Sequence, residues 1–546
     1  MFSVRKIIIL LVFSFGFLGA QDQIIDVKLN QELRKMSQNS TINARKYYRQ
    51  FKRLMNSQFL SDVYIQQINH VLNNFDDRKM RFNDSYVPFF KFVLHFRDQE
   101  LPLNMLSQCL QFLSLDKNFF TNQDLKKFLN KTNLFLSKDI LCKSNYLTWL
   151  YDGDFTFSFN EHNQPVFFLL NSQLHLNNNN DTITLNDVNG YFDVLSNDFF
   201  VNSSKMEFDN EYLSLDFGLD NFQIDLNKKF FQVDSAYLSS SKSFYGNCYG
   251  VYKGQLTSGD KSQSFTSYDK DILFEVFEGM KLLSGITLKG DVVYFTNFSG
   301  NPVSFFFDDD NSNYNFFASS FQMKENEITT SNAEFFLENE FGSMSHPHVN
   351  MLYNNDLKRF VIERGSGIRG LNPIRNNFHG VNIFADKLEL DLVYDHCLFF
   401  HKSLGRDLSV LIESNHYFDL SRYRDLVGDD INILVKLLDF IKNKDLENYY
   451  RLSDFSDFTS LSQETVLTYM LNLEIFGIVD FRSFTNTFKV KQWAFDFQDA
   501  SKKTFDHDYF KIESLPTASD TVADLDLILN EMNLYMIDKI NLNKRF

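Results

Sequence analysis

Apolar residues recur at helical spacing in the first part of the chain. Ile65, Ile68, Leu72 and Phe75 fall at i, i+3, i+7 and i+10, and Leu103, Leu106, Leu110 and Leu113 repeat that spacing. Each set makes one apolar stripe along a helix. Thr121 with Asp124, ahead of Leu125 and Phe128, predicts a helix start with the acid in its first turn. After Trp149 the period changes to two. Phe155, Phe157 and Phe159 alternate with polar residues, as do Ile183 and Leu185, then Phe222, Ile224 and Leu226, then Ile286 and Leu288. This alternation predicts half-buried strands. Between 152 and 422 only the stretch 268–283 reads as a candidate helix of more than two turns.

The helical period returns with Ile431, Leu434, Leu438 and Ile441. A short helix over 452–458 and a longer one over 462–475 follow, the latter closed by Gly477. Two short strands, 478–481 and 487–491, flank a tip at 482–486. Three helices followed by a hairpin is the order of a winged helix. The pattern as a whole predicts an α+β protein. Its expected parts are a signal peptide (1–20), an all-helical domain (21–150) and a long β body (151–425), mainly antiparallel or solenoid-like. A winged-helix-like insert (426–495) and a C-terminal β segment (496–546) complete it. A loose repeat runs through the β body, in which a small or polar residue precedes alternating apolar ones. Examples begin at Ser204, Ser320, Asn332 and Ala385. Such repeats resemble the stacked β-rungs of lipopolysaccharide-transport bridges, whose interior is either a packed core or an apolar groove.

The first twenty residues change the picture most. Arg5 and Lys6, an apolar run from 7 to 17, and Gly19-Ala20 before Gln21 have the layout of a secretory signal. The apolar run is too short to span a bilayer comfortably, and no later stretch approaches eighteen apolar residues, so no transmembrane helix is expected in the mature chain. The formal charge of −16 is uneven: 22–150 carries +7 and 151–546 carries −25. Phe is abundant, 63 residues beside 7 Pro. AT-rich coding and an aromatic-lined groove for lipid or sugar both account for that.

Candidate chemistry is sparse. Arg45, Lys46, Arg49, Lys52 and Arg53 gather positive charge on one helix, either a solvated face or a contact for an anionic surface. The third helix of the winged-helix-like region carries Glu464 and Glu474 and no base, so no nucleic-acid partner is expected. His346-Pro347-His348 reads as a surface turn, and His396, Cys397 and His401 make no ligand set, so no metal site emerges. Asp308-Asp309-Asp310 lacks the order of a calcium loop. Gly365-Ser366-Gly367-Ile368-Arg369-Gly370 lacks phosphate-loop and nucleophile-elbow spacings and reads as a tight turn. Cys109, Cys142, Cys248 and Cys397 form no C-x-x-C pair; Cys109 and Cys142 are either paired or free thiols. No cofactor is indicated, and no catalytic residue stands out. Asn39, Asn83, Asn130 and Asn297 open glycosylation sequons, the pattern of a eukaryotic secreted glycoprotein, which the Asn-rich composition also produces unaided.

Two stretches carry a family likeness. One is Arg369-Gly370-Leu371-Asn372-Pro373 with Phe378-His379. The other runs from Ile412 to Asp419 with Arg422-Tyr423, and is followed by Phe476-Gly477-Ile478, Asp506-His507-Asp508-Tyr509 and Ile512-Glu513-Ser514. Their order resembles the large exported proteins of Bacteroidetes-type bacteria, most closely over 360–515. Those proteins run longer, so the resemblance implies a truncated member or a split gene. It implies no established activity and no site residue. The expectation is an exported envelope protein, in the periplasm or at the outer membrane, with a structural or binding role. Its partners would be other envelope proteins or a cell-surface glycan or lipid. The alternative is a secreted carbohydrate-active enzyme on a β-helix-like scaffold, with two carboxylates in a cleft. Oligomeric state is not legible.

Overall fold

The computed structural model describes residues 38–144, 147–178, 181–206, 213, 215–240, 242–256, 261–268, 271–290, 292–297, 301–309, 311–401, 410–427, 432–502, 510–514 and 521–535. The proposed signal peptide, Asp310 and the motif at 506–509 lie outside the described residues. The chain divides into two compact units. The first takes residues up to 207 with 217–236 and 252–263; the second takes the remainder.

The first unit opens on helices α1 (Gln38–Met55), α2 (Asp62–Asp77), α3 (Val87–Asp98), α4 (Leu103–Leu113) and α5 (Asn122–Lys138). α3 buries Val87, Phe89, Phe90, Phe92, Val93, Leu94 and Phe96 and leaves Lys91, His95 and Asp98 on one narrow, partly exposed face. So wide an apolar face needs more than one neighbour to cover it, and α1 and α5 pack against it. Asp124 N–H donates to Thr121 Oγ1 (3.2 Å) and Thr121 N–H to Asp124 Oδ2 (2.9 Å), a reciprocal cap on α5. Thr121→Ala is expected to cost about 1 kcal/mol of unfolding free energy. Urea denaturation reads this directly, and an unchanged midpoint would show that the cap contributes nothing.

Strands β1 (Ile140–Lys143), β2 (Thr148–Phe159), β3 (Pro165–Asn177), β4 (Thr182–Asp193) and β5 (Asp198–Met206) pair antiparallel in sequence order. Phenylalanine joins them to the helices. Phe128 meets Phe157 edge-on at 5.9 Å, and Phe135 stacks on Tyr151 at 4.4 Å and leans on Phe167 at 4.6 Å. Here the abundant Phe fills a core between helix and sheet rather than lining a groove.

The long strands bend at bulges. Gly153, Asn171 and Asp187 all have positive φ, where the registers of β2–β3 and β3–β4 shift. A Cβ at Gly153 would lie 2.5 Å from Ser172 Oγ, so only glycine fits there. Asn171 N–H donates to Asn189 Oδ1 (3.1 Å).

Strands β6 (Leu215–Asp225), β7 (Phe230–Ser240), β8 (Asn247–Leu256) and β9 (Lys261–Ser267) give residues to both units. The second unit continues with β10 (Ile272–Phe277), β11 (Met280–Lys289), β12 (Val292–Thr296), β13 (Val303–Asp308), β14 (Ser312–Ala318) and β15 (Ser320–Lys324). Next come β16 (Glu327–Asn339), β17 (Gly342–Asn354), β18 (Arg359–Arg364), β19 (Ile374–Asn376), β20 (Val381–Ile383), β21 (Lys387–Asp391), β22 (His396–Phe400) and β23 (Val410–Ser414). The helical reading of 268–283 is therefore wrong. Phe274 and Val276 are buried in alternation with exposed neighbours, and Gly279 at φ +77° turns the chain into β11. Apolar residues there satisfied both periods, and the turn decides for strand.

The bulged hairpin of β3 and β4 recurs in β16 and β17. Asn332, again at positive φ, donates its N–H to Asn350 Oδ1 at 3.3 Å, and donor and acceptor are 18 residues apart in both copies. Beyond the bulge each strand changes neighbour: β16 pairs first with β15 and then with β14, and β17 first with β19 and then with β18. Of the loose-repeat examples only Asn332 lies at this bulge; Ser204 and Ser320 lie in β5 and β15. Every described pairing is antiparallel, so the body is an antiparallel sheet. Its core stacks Phe360 on Phe316 and Tyr314, and packs it against Phe305 and Tyr353.

The helical insert follows β23. It contains α6 (Leu420–Val427), α7 (Ile433–Ile441), β24 (Tyr450–Arg451), α8 (Leu452–Thr459), α9 (Gln463–Ile475), β25 (Val479–Arg482), β26 (Thr487–Val490) and α10 (Trp493–Ser501). The sheet order β24-β26-β25 completes a winged-helix arrangement, and Leu434, Phe455, Met470 and Phe488 share its core. The segment after 496 thus opens inside a helix. Trp493, Ala494, Phe497 and Ala500 make a buried stripe that seals the insert. The described strands after it are β27 (Lys511–Ser514), β28 (Thr521–Asp526) and β29 (Glu531–Leu534).

Candidate functional site: a charge network under the insert and an apolar rim of turns

Arg369 stands at the centre of the second unit's buried charges. Its Nε and Nη2 donate to Glu474 of α9 (3.1 Å each), and Nη1 and Nη2 reach Glu334 of β16 (3.4 Å). Nη2 also donates to the carbonyl of Phe481 (3.1 Å), and Ser483 Oγ donates to Glu334 (3.1 Å). One guanidinium thus joins a body strand, the third helix of the insert and its wing. Burial raises the Glu334 carboxyl above its ordinary range while Arg369 pulls it back. Arg375 of β19 donates to the Glu474 carbonyl, and burial pushes Lys491 down to about 8. Arg422 grips the buried Glu413 through two 2.8 Å bonds and lies over the Tyr417 ring.

Residues from several of the family-like motifs meet here. Arg369, Gly370, Asn372, Glu413, Arg422, Phe476 and Gly477 all belong to this clasp or border it. Gly370 has no room for a Cβ, which would lie 1.9 Å from the Gly365 carbonyl oxygen. Glu334 and Glu474 are two carboxylates held close, as glycoside cleavage would need, but Arg369 occupies the space between them.

The other singled-out residues take structural places. His346-Pro347-His348 is not a surface turn. It lies at the bulge of β17, where His346 is buried, faces the Asn372 carbonyl through Nε2 (2.9 Å) and accepts the His348 N–H on Nδ1 (3.0 Å). His396 lies beside Asp524 (3.1 Å), His401 beside Asp386 (2.7 Å), and Cys397 points into the core. Among the described residues no group of His, Cys, Asp and Glu could hold a metal ion, and all four cysteines are free thiols. Asp308 ends β13 and Asp309 opens the following turn. Gly365 to Gly370 leads into a single 3-10 turn. On α1, Arg45, Lys46, Arg49 and Arg53 are exposed and Lys52 is half-buried, opposite a buried stripe of Ala44, Tyr48, Phe51 and Leu54. No helix among the described residues is long and apolar enough to cross a membrane.

The sequence reading missed a second feature, a row of turns in the second unit. The hairpin turns 355–358, 392–395 and 527–530 lie side by side. Leu392 N–H donates to the Lys358 carbonyl and Leu527 N–H to the Asp395 carbonyl, both at 3.0 Å. Asn339 Nδ2 reaches the Leu527 carbonyl (3.3 Å), which brings the turn at Phe341 into the row. In two of these turns the strand's last residue is an aspartate that caps the loop. Asp391 Oδ1 accepts from Val393 and Tyr394, and Asp526 Oδ1 from Ile528 and Leu529. Each loop ends on Asp395 or Asn530 at positive φ. This frame turns two apolar side chains outward: Val393 (63 % exposed) with Tyr394 (71 %), and Ile528 (53 %) with Leu529 (65 %). Leu357 and Phe341 are also exposed. Asp309, Asp356, Glu340 and Asp526 surround them, and burial together with Asp309 and Asp526 holds the Asp395 carboxyl above its ordinary range. The legible signal is Asp-Leu-Val-Tyr-Asp at 391 and Asp-Leu-Ile-Leu-Asn at 526, apolar pairs where turns are ordinarily polar.

No family model, curated protein or solved structure matches the chain.

Proposed function

We propose that this is an exported protein of the cell envelope, of the kind its motifs resemble in Bacteroidetes-type bacteria, whose work is binding and scaffolding. The observation that carries this reading is the rim of turns: six exposed apolar residues on tips capped by Asp391, Asp526, Asn354 and Asn339 and set on a continuous strand ladder. Contiguous apolar surface on a framed rim is the mark of a docking site. The charge network supports the same reading, because it holds the insert in place instead of presenting reactive groups. The acidic α9, with Glu474 engaged by Arg369, suits a protein-contacting insert and not a nucleic-acid reader. The test is fractionation of the native host with mass mapping of the protein's first residues. A start near Gln21 and recovery in the periplasmic or outer-membrane fraction are expected. Recovery in the cytoplasm with Met1 intact would overturn the proposal.

A further inference from the structure

The rim of turns and helix α1 are opposites in charge and alike in length. Between Glu32 and Asp62 the sequence has no acidic residue, and α1 carries Arg45, Lys46, Arg49, Lys52 and Arg53. Arg45, Arg49 and Arg53 are spaced four apart, so they form one exposed stripe about 12 Å long on a helix of about 27 Å. The rim presents Asp309, Glu340, Asp356, Asp395 and Asp526 around its apolar tips, with Lys358 as a cation among them. Its three hairpins follow each other through the pairings β17–β18–β21–β22–β28–β29. At about 4.8 Å per strand the row of tips spans roughly 20 Å. A helix of α1's length is long enough to cover that row, and its long side chains carry both charge and an aliphatic stem.

We infer that the rim is the docking site for the α1 helix of a second copy of this chain, so that the protein associates head to tail. The contact is heterologous: a basic helix on one copy meets an acidic, apolar rim on the next. Each copy keeps one of each free, so association propagates beyond a dimer unless the geometry closes a ring. The inference rests on the reading of the chain as a binding and scaffolding protein, but its test uses purified protein and is independent of where the protein resides.

The experiment is sedimentation velocity on the full-length mature chain across a concentration series, at about 0.05 M and about 0.5 M salt, where the Debye length falls from roughly 14 Å to 4 Å. Concentration-dependent species larger than a monomer are expected at low salt and a single monomer boundary at high salt. Arg45→Glu with Arg49→Glu, or Tyr394→Lys with Leu529→Lys, each change exposed side chains and are expected to weaken association about tenfold or more. A monomer at every concentration in low salt overturns the inference. So does association that survives either pair. If the arginine pair abolishes binding to anionic phospholipid vesicles while the rim pair leaves self-association intact, the helix serves a membrane surface and the rim inference fails.

Discussion

Replacing Arg369 by methionine is expected to lower the stability of the second unit by about 3–5 kcal/mol, the cost of stranding buried charges. The side chain satisfies two carboxylates at once, Glu334 with 11 % of its side chain exposed and Glu474 with 4 %. Methionine keeps the apolar stem but stops short of the guanidinium, so the loss is chiefly one of charge and hydrogen bonding. Glu334 already sits above its ordinary range through burial. Without the guanidinium it should move higher still, so the damage should be smaller at acid pH. The insert has a core of its own. It should therefore loosen as a folded body, and limited proteolysis should release a stable fragment spanning 420–501 from the variant but not from the parent. Adding Glu334→Gln and Glu474→Gln removes the stranded charges and is expected to recover more than half of the loss. A methionine variant within about 1 kcal/mol of the parent, with an unchanged digestion pattern, would show that the clasp does not hold the insert.

Much of this architecture is legible in the chain because period is a strong signal wherever one face is buried. The stripe Ile65 to Phe75, the alternation around Phe157 and the spacing from Leu434 to Ile441 each have one physical outcome. Period fails where both readings fit, as over 268–283, where only Gly279 decides. It is silent on two-residue elements such as Tyr450–Arg451, which exist because β26 offers them a partner. The clasp is half legible. Its residues stand out as motifs, but nothing in sequence spacing says that Arg369 meets a glutamate 105 positions later. The rim was readable in principle. Asp-Leu-Val-Tyr-Asp and Asp-Leu-Ile-Leu-Asn put apolar pairs in loops, and local turn chemistry can flag that anomaly without coordinates. What no local rule supplies is that the two loops, far apart in the chain, lie side by side through β22 and β28.

Acid should unfold the second unit along a limb set largely by His346. The ring is 1 % exposed, and both nitrogens are satisfied in the neutral form: Nδ1 accepts from the His348 N–H, so Nε2 carries the proton and donates to the Asn372 carbonyl. A second proton would have to sit on Nδ1, facing that N–H. Burial, the largest influence, pushes the folded-state value down to about 3. In the unfolded chain an unperturbed histidine takes up its proton near pH 6.5. Between those limits the unfolded state binds a proton that the folded state does not. The folded state therefore has its full stability from this group above pH 6.5 and loses it as the pH falls, by up to about 1.4 kcal/mol per unit. From pH 6.5 to pH 4 that amounts to about 3 kcal/mol. Glu334 acts in the opposite sense, since a carboxyl raised by burial regains stability when protonated. The histidine term is best read as a difference between proteins. His346→Gln keeps a donor toward Asn372 and removes the titrating ring. It should be the less stable protein at pH 7. Its deficit should shrink by about 3 kcal/mol between pH 7 and pH 4 in urea denaturation series run on both proteins. Parallel stability curves over that range would mean that His346 is already protonated in the folded protein, contrary to its burial and to the acceptor role of Nδ1.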